Sequence, residues 1–338
     1  MNPVLVECYR GEVIESFHRG VVCVVNEYGE ILEAIGDVSQ ICYPRSAMKL
    51  FQHIPFLMSD AVKKYKLTDE EIAIMCGSHN GEERHLNVVK GILDKAGFTL
   101  NDLLCGPQMP TLKEDIINLY KTGQSASTLH NNCSGKHAGF LLCCQHFGWD
   151  TANYINPDHP LQMAIKNICA EFYEYKLKEI KTGMDGCSAP IFSFPVYNQA
   201  VAFKNLILPS AKLKKYKPAL DIINRAVLAN PFMLAGSKRY CTDLMRSAGD
   251  NIIGKTGADG IYCIAIKSLE LGICIKIDDG KMGPQYLVAE NILENLQVLT
   301  SEAKSLLREY KIEHLKNYAK REVGKLKVAE CVKNFSVF

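Results

Sequence analysis

The stretch Pro44-Arg45-Ser46-Ala47-Met48-Lys49 marks the point at which the sequence changes in character from strand to helix. Before it, short segments rich in β-branched residues are separated by glycine or charged turns. These segments predict strands at Val4–Cys8, Val13–Ser16, Val21–Val25 and Ile31–Ile35. Pro44 ends that pattern, and the helical spacing of apolar residues over Ala47–Leu57 predicts a helix that begins around Ser46.

Most of the remaining chain has helical periodicity. Helices are predicted at Thr68–Met75, Glu82–Ala96, Glu114–Lys121, Gly135–Phe147, Pro157–Tyr175, Ala211–Asn230, Ser237–Ser247, Pro284–Leu299 and Glu302–Tyr310. The clearest hairpin joins Gly260–Lys267 to Leu271–Ile277, shortly after Lys255-Thr256-Gly257. The tail beyond about Asn317 is expected to be either a last strand or a surface strap.

Strands near both chain ends, with helices between them, predict an α/β (α+β) fold. We expect one antiparallel sheet, built from both ends of the chain and flanked by helices, together with a helical subdomain. The sheet should come from about residues 4–45 and 255–335, and the mostly helical middle should span about 46–250. We expect residues 1–338 to form a single catalytic domain.

Composition and charge argue against several classes of protein. Apolar residues make up 47% of the 338 residues, and the net charge of +2 gives no electrostatic basis for binding nucleic acid. No apolar run is long enough to predict a transmembrane helix, and no signal peptide is recognisable at Met1-Asn2-Pro3-Val4. We therefore expect a cytoplasmic protein without nucleic-acid or membrane partners, whose fourteen cysteines are reduced and mostly buried.

Three short fragments that can support nucleophilic catalysis follow one another along the chain. They are Ser46-Ala47-Met48-Lys49, Ser78-His79-Asn80 and Lys255-Thr256-Gly257. Their order resembles that of the active-site-serine β-lactamases and penicillin-binding proteins, which open amide bonds through an acyl-enzyme. Each fragment alone is a weak signal, and the ordered set of three is considerably stronger.

The chemistry of these fragments depends on pairing a serine with a lysine. Lys49 follows Ser46 by three residues, so both side chains project from one face of the first helical turn, where a neutral amine can take the serine proton. Ser78 and Lys255 form the proposed second pair. The structural alternative makes Ser46 a helix cap, Ser78 a turn residue, and Lys49 and Lys255 ordinary charges.

Two glycine-rich stretches contain metal-binding residue types, His130–Gly139 and Gly183–Pro190. Cys133 and His137, four residues apart in a predicted helix, suit zinc together with Cys187. A Cys133/His137 dyad for thiol catalysis is a second possibility. A structural role remains the simplest interpretation for any single cysteine among fourteen.

Five motifs resemble the L-asparaginase II family, typified by the rhizobial inducible, or class 3, enzymes. They are Pro44–Lys49, Cys76–His79, Asn132–Gly139, Asp185–Cys187 and Gly254–Gly257, and the resemblance spans roughly residues 5–310. It implies a serine β-lactamase/glutaminase-like fold and a homodimer. It also implies two catalytic Ser–Lys tandems, Ser46–Lys49 and Ser78–Lys255, and a zinc ion (Zn2+) held by Cys133, Lys136 and Cys187. The lysine ligand differs from His137, which the spacing favours.

We therefore expect hydrolysis of L-asparagine to L-aspartate and ammonia, with Ser46 favoured over Ser78 as nucleophile. The predicted substrate-binding residues are Arg45 and Asp185, chosen by charge, together with Asn132 and His137. Zinc is expected to position the substrate or stiffen the site. Two alternatives stay open: a glutaminase or other serine amidohydrolase of this fold, and a zinc-binding regulatory or structural protein with a vestigial site.

Overall fold

The computed structural model describes residues 1–311 and 314–337. The strands in chain order are β1 Val4–Arg10, β2 Val13–Val25, β3 Ile31–Ile35, β4 Ile41–Cys42, β5 Thr182–Met184, β6 Pro190–Phe192, β7 Phe194–Pro195, β8 Ile252–Gly257, β9 Ile261–Ile266, β10 Leu271–Ile277, β11 His314–Lys316 and β12 Glu322–Val328. The α-helices are α1 Lys49–Gln52, α2 Ile54–Leu57, α3 Ala61–Lys64, α4 Asp69–Met75, α5 Glu83–Asp94, α6 Lys113–Lys121, α7 Ser134–Phe147, α8 Pro160–Phe172, α9 Val196–Ile207, α10 Lys217–Ala229, α11 Pro231–Leu234, α12 Tyr240–Ser247, α13 Pro284–Asn295, α14 Ser301–Lys311 and α15 Glu330–Lys333.

The chain divides into two compact units. Unit 1 comprises residues 1–47, 194–210 and 243–338, and unit 2 comprises residues 48–193 and 211–242. The large sheet lies within unit 1, with strand order β11-β12-β1-β2-β10-β9-β8 and with β3 paired to β2. All its neighbouring strands are antiparallel. This topology confirms the predicted antiparallel sheet built from both chain ends, while the single catalytic domain over 1–338 stays a prediction.

The central strands of this sheet are buried along their whole length. Every residue of β8, β9 and β10 is buried, and their sequences are nearly continuous apolar runs. Helix α9 packs against β2, β9 and β10, and α13 contacts β1, β9, β10 and β12. Helix α9 was not among the predicted helices.

Unit 2 is mostly helical and centres on α4 and α7. Thr68 caps α4 in a capping box, in which its hydroxyl accepts from the Glu71 N–H and its own N–H donates to the Glu71 carboxylate. In α7, every residue from Ser134 to Cys144 is buried, since the helix is surrounded by other elements. Helix α4 contacts α5, α7, α10 and α11.

Several local predictions need correction. The two strands expected at Val13–Ser16 and Val21–Val25 form one strand, β2, in which a side chain at Gly20 would collide with Leu5. The helix predicted over Ala47–Leu57 is a 3-10 turn followed by the short helices α1 and α2, because Pro55 interrupts the helical hydrogen bonds. Lys255-Thr256-Gly257 precedes the β9–β10 hairpin as predicted, but it also forms the end of a further strand, β8, which pairs with β9. The tail forms a strand, β12, paired with β1.

Two further observations concern the chain as described. None of the fourteen cysteines, all of which lie in the described ranges, forms a disulfide. Over residues 1–311 and 314–337, no helix combines the length and the apolar character needed to cross a bilayer.

Candidate functional site

Lys49 and Ser78 are in direct contact within unit 2. The Lys49 side chain is buried, and its Nζ donates to the Gly77 carbonyl at 2.7 Å and to Ser78 Oγ at 2.9 Å. Ser78 follows the end of α4, and its N–H donates to the Leu234 carbonyl at 2.8 Å. Sequence spacing pairs Lys49 with Ser46, so this contact adds a partner that the spacing does not reveal.

A polar network shapes the loop that carries Ser78. Asn80 Nδ2 donates to Glu82 Oε1 at 3.0 Å and to the Ser237 carbonyl at 2.9 Å. Arg239 Nη1 donates to Asn80 Oδ1 at 2.9 Å and approaches the Ser78 carbonyl at 3.5 Å. Sequence reasoning missed Ser237 and Arg239, because they lie about 160 residues from the loop and belong to no recognisable motif.

Three potential metal ligands meet in unit 2. The Cys133 and Cys187 sulfurs and an Asp185 carboxylate oxygen all lie within 4.8 Å of one another. Cys133 directly precedes α7, and the other two residues occupy the turn between β5 and β6. Lys136 Nζ lies 3.0 Å from the Cys187 sulfur. Two thiols and a carboxylate are donor types that zinc binds in proteins, so these residues fit a zinc ion.

The electrostatics of this cluster favour a thiolate at Cys133. A hydrogen bond from the Cys187 thiol holds the pKa of Cys133 well below its ordinary value against the effect of burial, and Lys49 and Lys136 act in the same direction. The same hydrogen bond and burial raise the pKa of Cys187. The pair therefore shares one proton, and Cys133 is the sulfur prepared to bind a cation.

Lys136 lies among negative groups. Burial alone would lower its pKa, but Cys187, Cys133 and Asp185 raise it above the ordinary value. Lys136 serves here as the countercharge of the thiolate. A metal ion bound through its nitrogen would first have to displace a proton from Lys136.

His137 and Asn132 also belong to this region. His137 is fully buried, and burial lowers its pKa to about 4, so the imidazole is neutral at pH 7. Its Nδ1 lies 2.9 Å from the Tyr154 hydroxyl. The Asn132 side chain contacts the Cys133 sulfur, with Oδ1 at 3.0 Å. Nothing in the sequence around Tyr154 indicates its contact with His137, because the two residues lie in different elements.

Arg45, Ser46 and Lys255 lie in unit 1. Half-buried Ser46 occupies the 3-10 turn Arg45–Met48, and Arg45 has a positive φ of 51° and forms an ion pair with Asp259. Lys255 is buried in β8. A side chain at Gly257 would collide with the Pro44 carbonyl, so the end of β8 runs directly beside the segment that leads into Ser46. Within unit 1, the structure thus places the Lys255–Gly257 fragment beside the segment that leads into Ser46.

The sequence model of the L-asparaginase II family matches residues 6–328. The chain belongs to this family. Membership of the L-asparaginase II family indicates an amidohydrolase, in agreement with the resemblance of the five motifs. No curated protein sequence matches the chain.

Two solved structures are similar to the chain at low identity. A β-lactamase from Mycobacterium bovis is 12% identical, and the match covers 86% of this chain and 95% of that chain with a TM-score of 0.36. The native form of Mglu is also 12% identical, with 90% of this chain and 71% of that chain covered and a TM-score of 0.45. Assignment to the L-asparaginase II family rests on the sequence match over residues 6–328.

Proposed function

We propose that this chain hydrolyses L-asparagine to L-aspartate and ammonia. The observation that carries the proposal is the family match, which spans residues 6–328 and so includes every predicted site residue. A hydrolase of this kind needs a nucleophile, a base that accepts its proton, and a donor for the departing ammonia. The serines and lysines of the three fragments supply all of these.

Ser46 is the proposed nucleophile. Its Oγ attacks the side-chain carboxamide carbon of the substrate, and the hydroxyl proton passes to a neutral Lys49, which begins the helix after the Ser46 turn. Collapse of the tetrahedral intermediate breaks the C–N bond and leaves an aspartyl ester on Ser46. Water then attacks the ester and regenerates the serine.

Ser78 is the proposed proton donor to the leaving nitrogen. Its contact with Lys49 supports this role, because Lys49 Nζ lies 2.9 Å from Ser78 Oγ. The proton taken from Ser46 can travel from Lys49 to Ser78 while Ser78 protonates the departing ammonia. Lys255 as the tuning partner of Ser78 remains part of the proposal on the strength of the family resemblance.

The substrate is a zwitterion, so we assign its contacts by charge complementarity. Arg45 is proposed to bind the α-carboxylate, which would replace Asp259 as its ion partner. Asp185 is proposed to bind the α-ammonium group, with Asn132 and His137 contributing further contacts. A homodimer is likewise a proposal from the family resemblance, and a cytoplasmic location is a proposal from the sequence.

A zinc ion is proposed at the cysteine cluster. Cys133 and Cys187 would hold it, with Lys136 as the third ligand that the family resemblance gives. Asp185 lies in the same cluster and is kept for the α-ammonium group. When bound, zinc supplies a fixed positive charge that stiffens the site and helps to position the substrate. The protein residues alone carry the proton transfers described above.

The test is ammonia release by purified protein from L-asparagine, with L-glutamine and the β-lactam nitrocefin in parallel. We expect rapid release from asparagine and a fall of at least about 1000-fold in Ser46→Ala, at unchanged zinc content. Ser39→Ala is the matched control, since Ser39 is a surface serine of unit 1 bonded to Asp37.

Each other outcome has a defined meaning. Turnover that persists in Ser46→Ala would remove the Ser46 assignment. Preferential cleavage of glutamine would identify a glutaminase. Folded, zinc-loaded protein that is inactive on all three substrates would overturn the enzymatic proposal and favour a metal-binding protein.

A further inference from the structure

Tyr154 and His137 form a buried pair beside the cysteine cluster. Both side chains are completely inaccessible to solvent. His137 follows Cys133 by four residues and lies in the first turn of α7, whereas Tyr154 comes from the segment between α7 and α8. The proposed reaction assigns Tyr154 no role.

The hydrogen bonds of Tyr154 determine which nitrogen of His137 carries the proton. The Leu104 N–H donates to the Tyr154 hydroxyl oxygen at 2.7 Å, so the hydroxyl must direct its own proton elsewhere. His137 Nδ1 at 2.9 Å is a closer acceptor than the Asp102 carbonyl at 3.4 Å. The shorter distance favours Nδ1 as the acceptor, which assigns the ring proton to Nε2.

The other ring nitrogen, Nε2, lacks a conventional acceptor among the described residues. It is buried and has no hydrogen-bond partner of ordinary geometry among the described residues. The Cys187 thiol interacts with this ring, and Nε2 is the ring nitrogen that the contact with Tyr154 leaves for it. A buried N–H next to a sulfur is satisfied when that sulfur becomes an anionic, metal-bound thiolate.

We propose that His137, oriented by Tyr154, is a positioning residue of the metal centre that donates its Nε2 proton to the Cys187 sulfur. The inference rests on the zinc site of the proposed function. It assigns His137 and Tyr154 to the residues that orient the ligands of that site without binding the metal. Such a hydrogen bond holds the thiolate in its binding orientation and spreads its negative charge. It also accounts for the Cys133/His137 spacing without making His137 a ligand. It replaces the substrate contact proposed above for His137, because both ring nitrogens are then occupied.

The experiment measures zinc affinity by competition with a chromophoric chelator, and the sulfur-to-metal charge-transfer band of the cobalt-substituted protein. His137→Phe should weaken zinc binding by about 10- to 100-fold and shift the cobalt band. His137→Gln keeps an N–H near the position of Nε2 and should bind within about threefold of wild type. Tyr154→Phe removes one oxygen and should weaken binding several-fold.

Tyr65→Phe is the matched control, because it removes another hydroxyl of unit 2, one bonded to Gln145. Zinc binding and a cobalt band in His137→Phe that equal those of wild type would overturn the proposal. Equal losses in His137→Gln and His137→Phe would also overturn it, because they would make His137 a direct ligand. If His137→Phe fails to fold, Tyr154→Phe decides: unchanged affinity and an unchanged band would overturn the proposal.

The wild-type measurements separate this inference from the proposed function. If the wild type binds no zinc, the proposed metal centre is refuted, whatever the variants show. A wild type that binds zinc without releasing ammonia leaves the role of His137 standing while the asparaginase proposal fails.

Discussion

At the scale of single residues, the loop that carries Ser78 is held by groups from distant parts of the chain. Gly236 is buried with φ of +116°, and an added Cβ would lie 2.5 Å from Asn80 Nδ2 and 2.6 Å from Glu82 Oε1. Only glycine leaves room for these two side chains, whose hydrogen bonds shape the turn after Ser78. The position of the serine thus depends on a backbone conformation found more than 150 residues further along the chain.

Gly236→Ala is expected to destabilise the protein and impair the site. Backbone strain and displaced buried hydrogen bonds together should lower the free energy of unfolding by about 3 kcal/mol. Gly97→Ala is the control, because Gly97 also has a positive φ but its Cβ would meet nothing, so about 1 kcal/mol is expected. Urea denaturation measures both values, and ammonia release should fall in Gly236→Ala alone. Equal losses of stability would contradict the role of the crowded contact.

At the scale of elements, close packing of α4 on α7 joins the serine loop to the cysteine cluster. Gly135 lies where an added Cβ would be 2.5 Å from the Ile74 carbonyl oxygen. His79, in the loop after α4, is bonded to the start of α7: its N–H donates to the Asn132 carbonyl at 3.2 Å, and its Nε2 lies 3.0 Å from Ser134 Oγ. The absence of a side chain at Gly135 therefore allows α4 and α7 to pack in direct contact.

Gly135→Ala should lower the free energy of unfolding by about 1–3 kcal/mol. The atom that the new Cβ would contact, the Ile74 carbonyl oxygen, belongs to the backbone and cannot move aside as the end of a flexible side chain can. The same substitution at Gly91 should instead raise the free energy of unfolding. Gly91 lies within α5, and its Cβ would meet only Glu71 Oε1 at 3.9 Å, so alanine should add about 0.5–1 kcal/mol of helix stability. Chemical denaturation of both variants is the measurement. A neutral or stabilising Gly135→Ala would show that the helices approach less closely.

At the scale of the whole molecule, the candidate residues are distributed unequally between the two units. Arg45, Ser46 and Lys255 belong to unit 1, and the others belong to unit 2. All proposed zinc ligands come from unit 2, where they join α7 to the turn between β5 and β6. Zinc bound there stabilises the folded state because the ligands lie far apart in the unfolded chain.

Zinc should therefore raise the stability of the wild type. Free zinc at 100 times its Kd should add about 2.7 kcal/mol relative to protein treated with a chelator. Cys187→Ala should abolish this difference. Cys169→Ala removes another buried thiol of unit 2, in α8, and should lower the baseline stability while keeping the increment from zinc. Denaturation curves in zinc buffer and in chelator make the comparison. An increment that survives in Cys187→Ala would place the metal elsewhere.

Much of the fold could be predicted because its signals are local. The buried strands β8–β10 are nearly continuous apolar runs, and α4 begins at a capping box readable from Thr68 and Glu71. Helix α9 escaped prediction because Val196–Ile207 is largely buried and lacks a strong polar face. Gly20 suggested a turn because its neighbours across the sheet, which require glycine there, cannot be seen in the sequence.

By itself, the sequence determined the antiparallel sheet from both chain ends, the family and the chemical types of the candidate residues, since periodicity and short motifs are properties of neighbouring residues. Tertiary structure alone decided which side chains meet. It paired Lys49 with Ser78, added Asp185 to the two cysteines, and set His137 against Tyr154. The physical reason is that hydrogen bonds and ligand clusters act over about 3–5 Å between atoms, whereas these partners are separated along the chain by up to 54 residues.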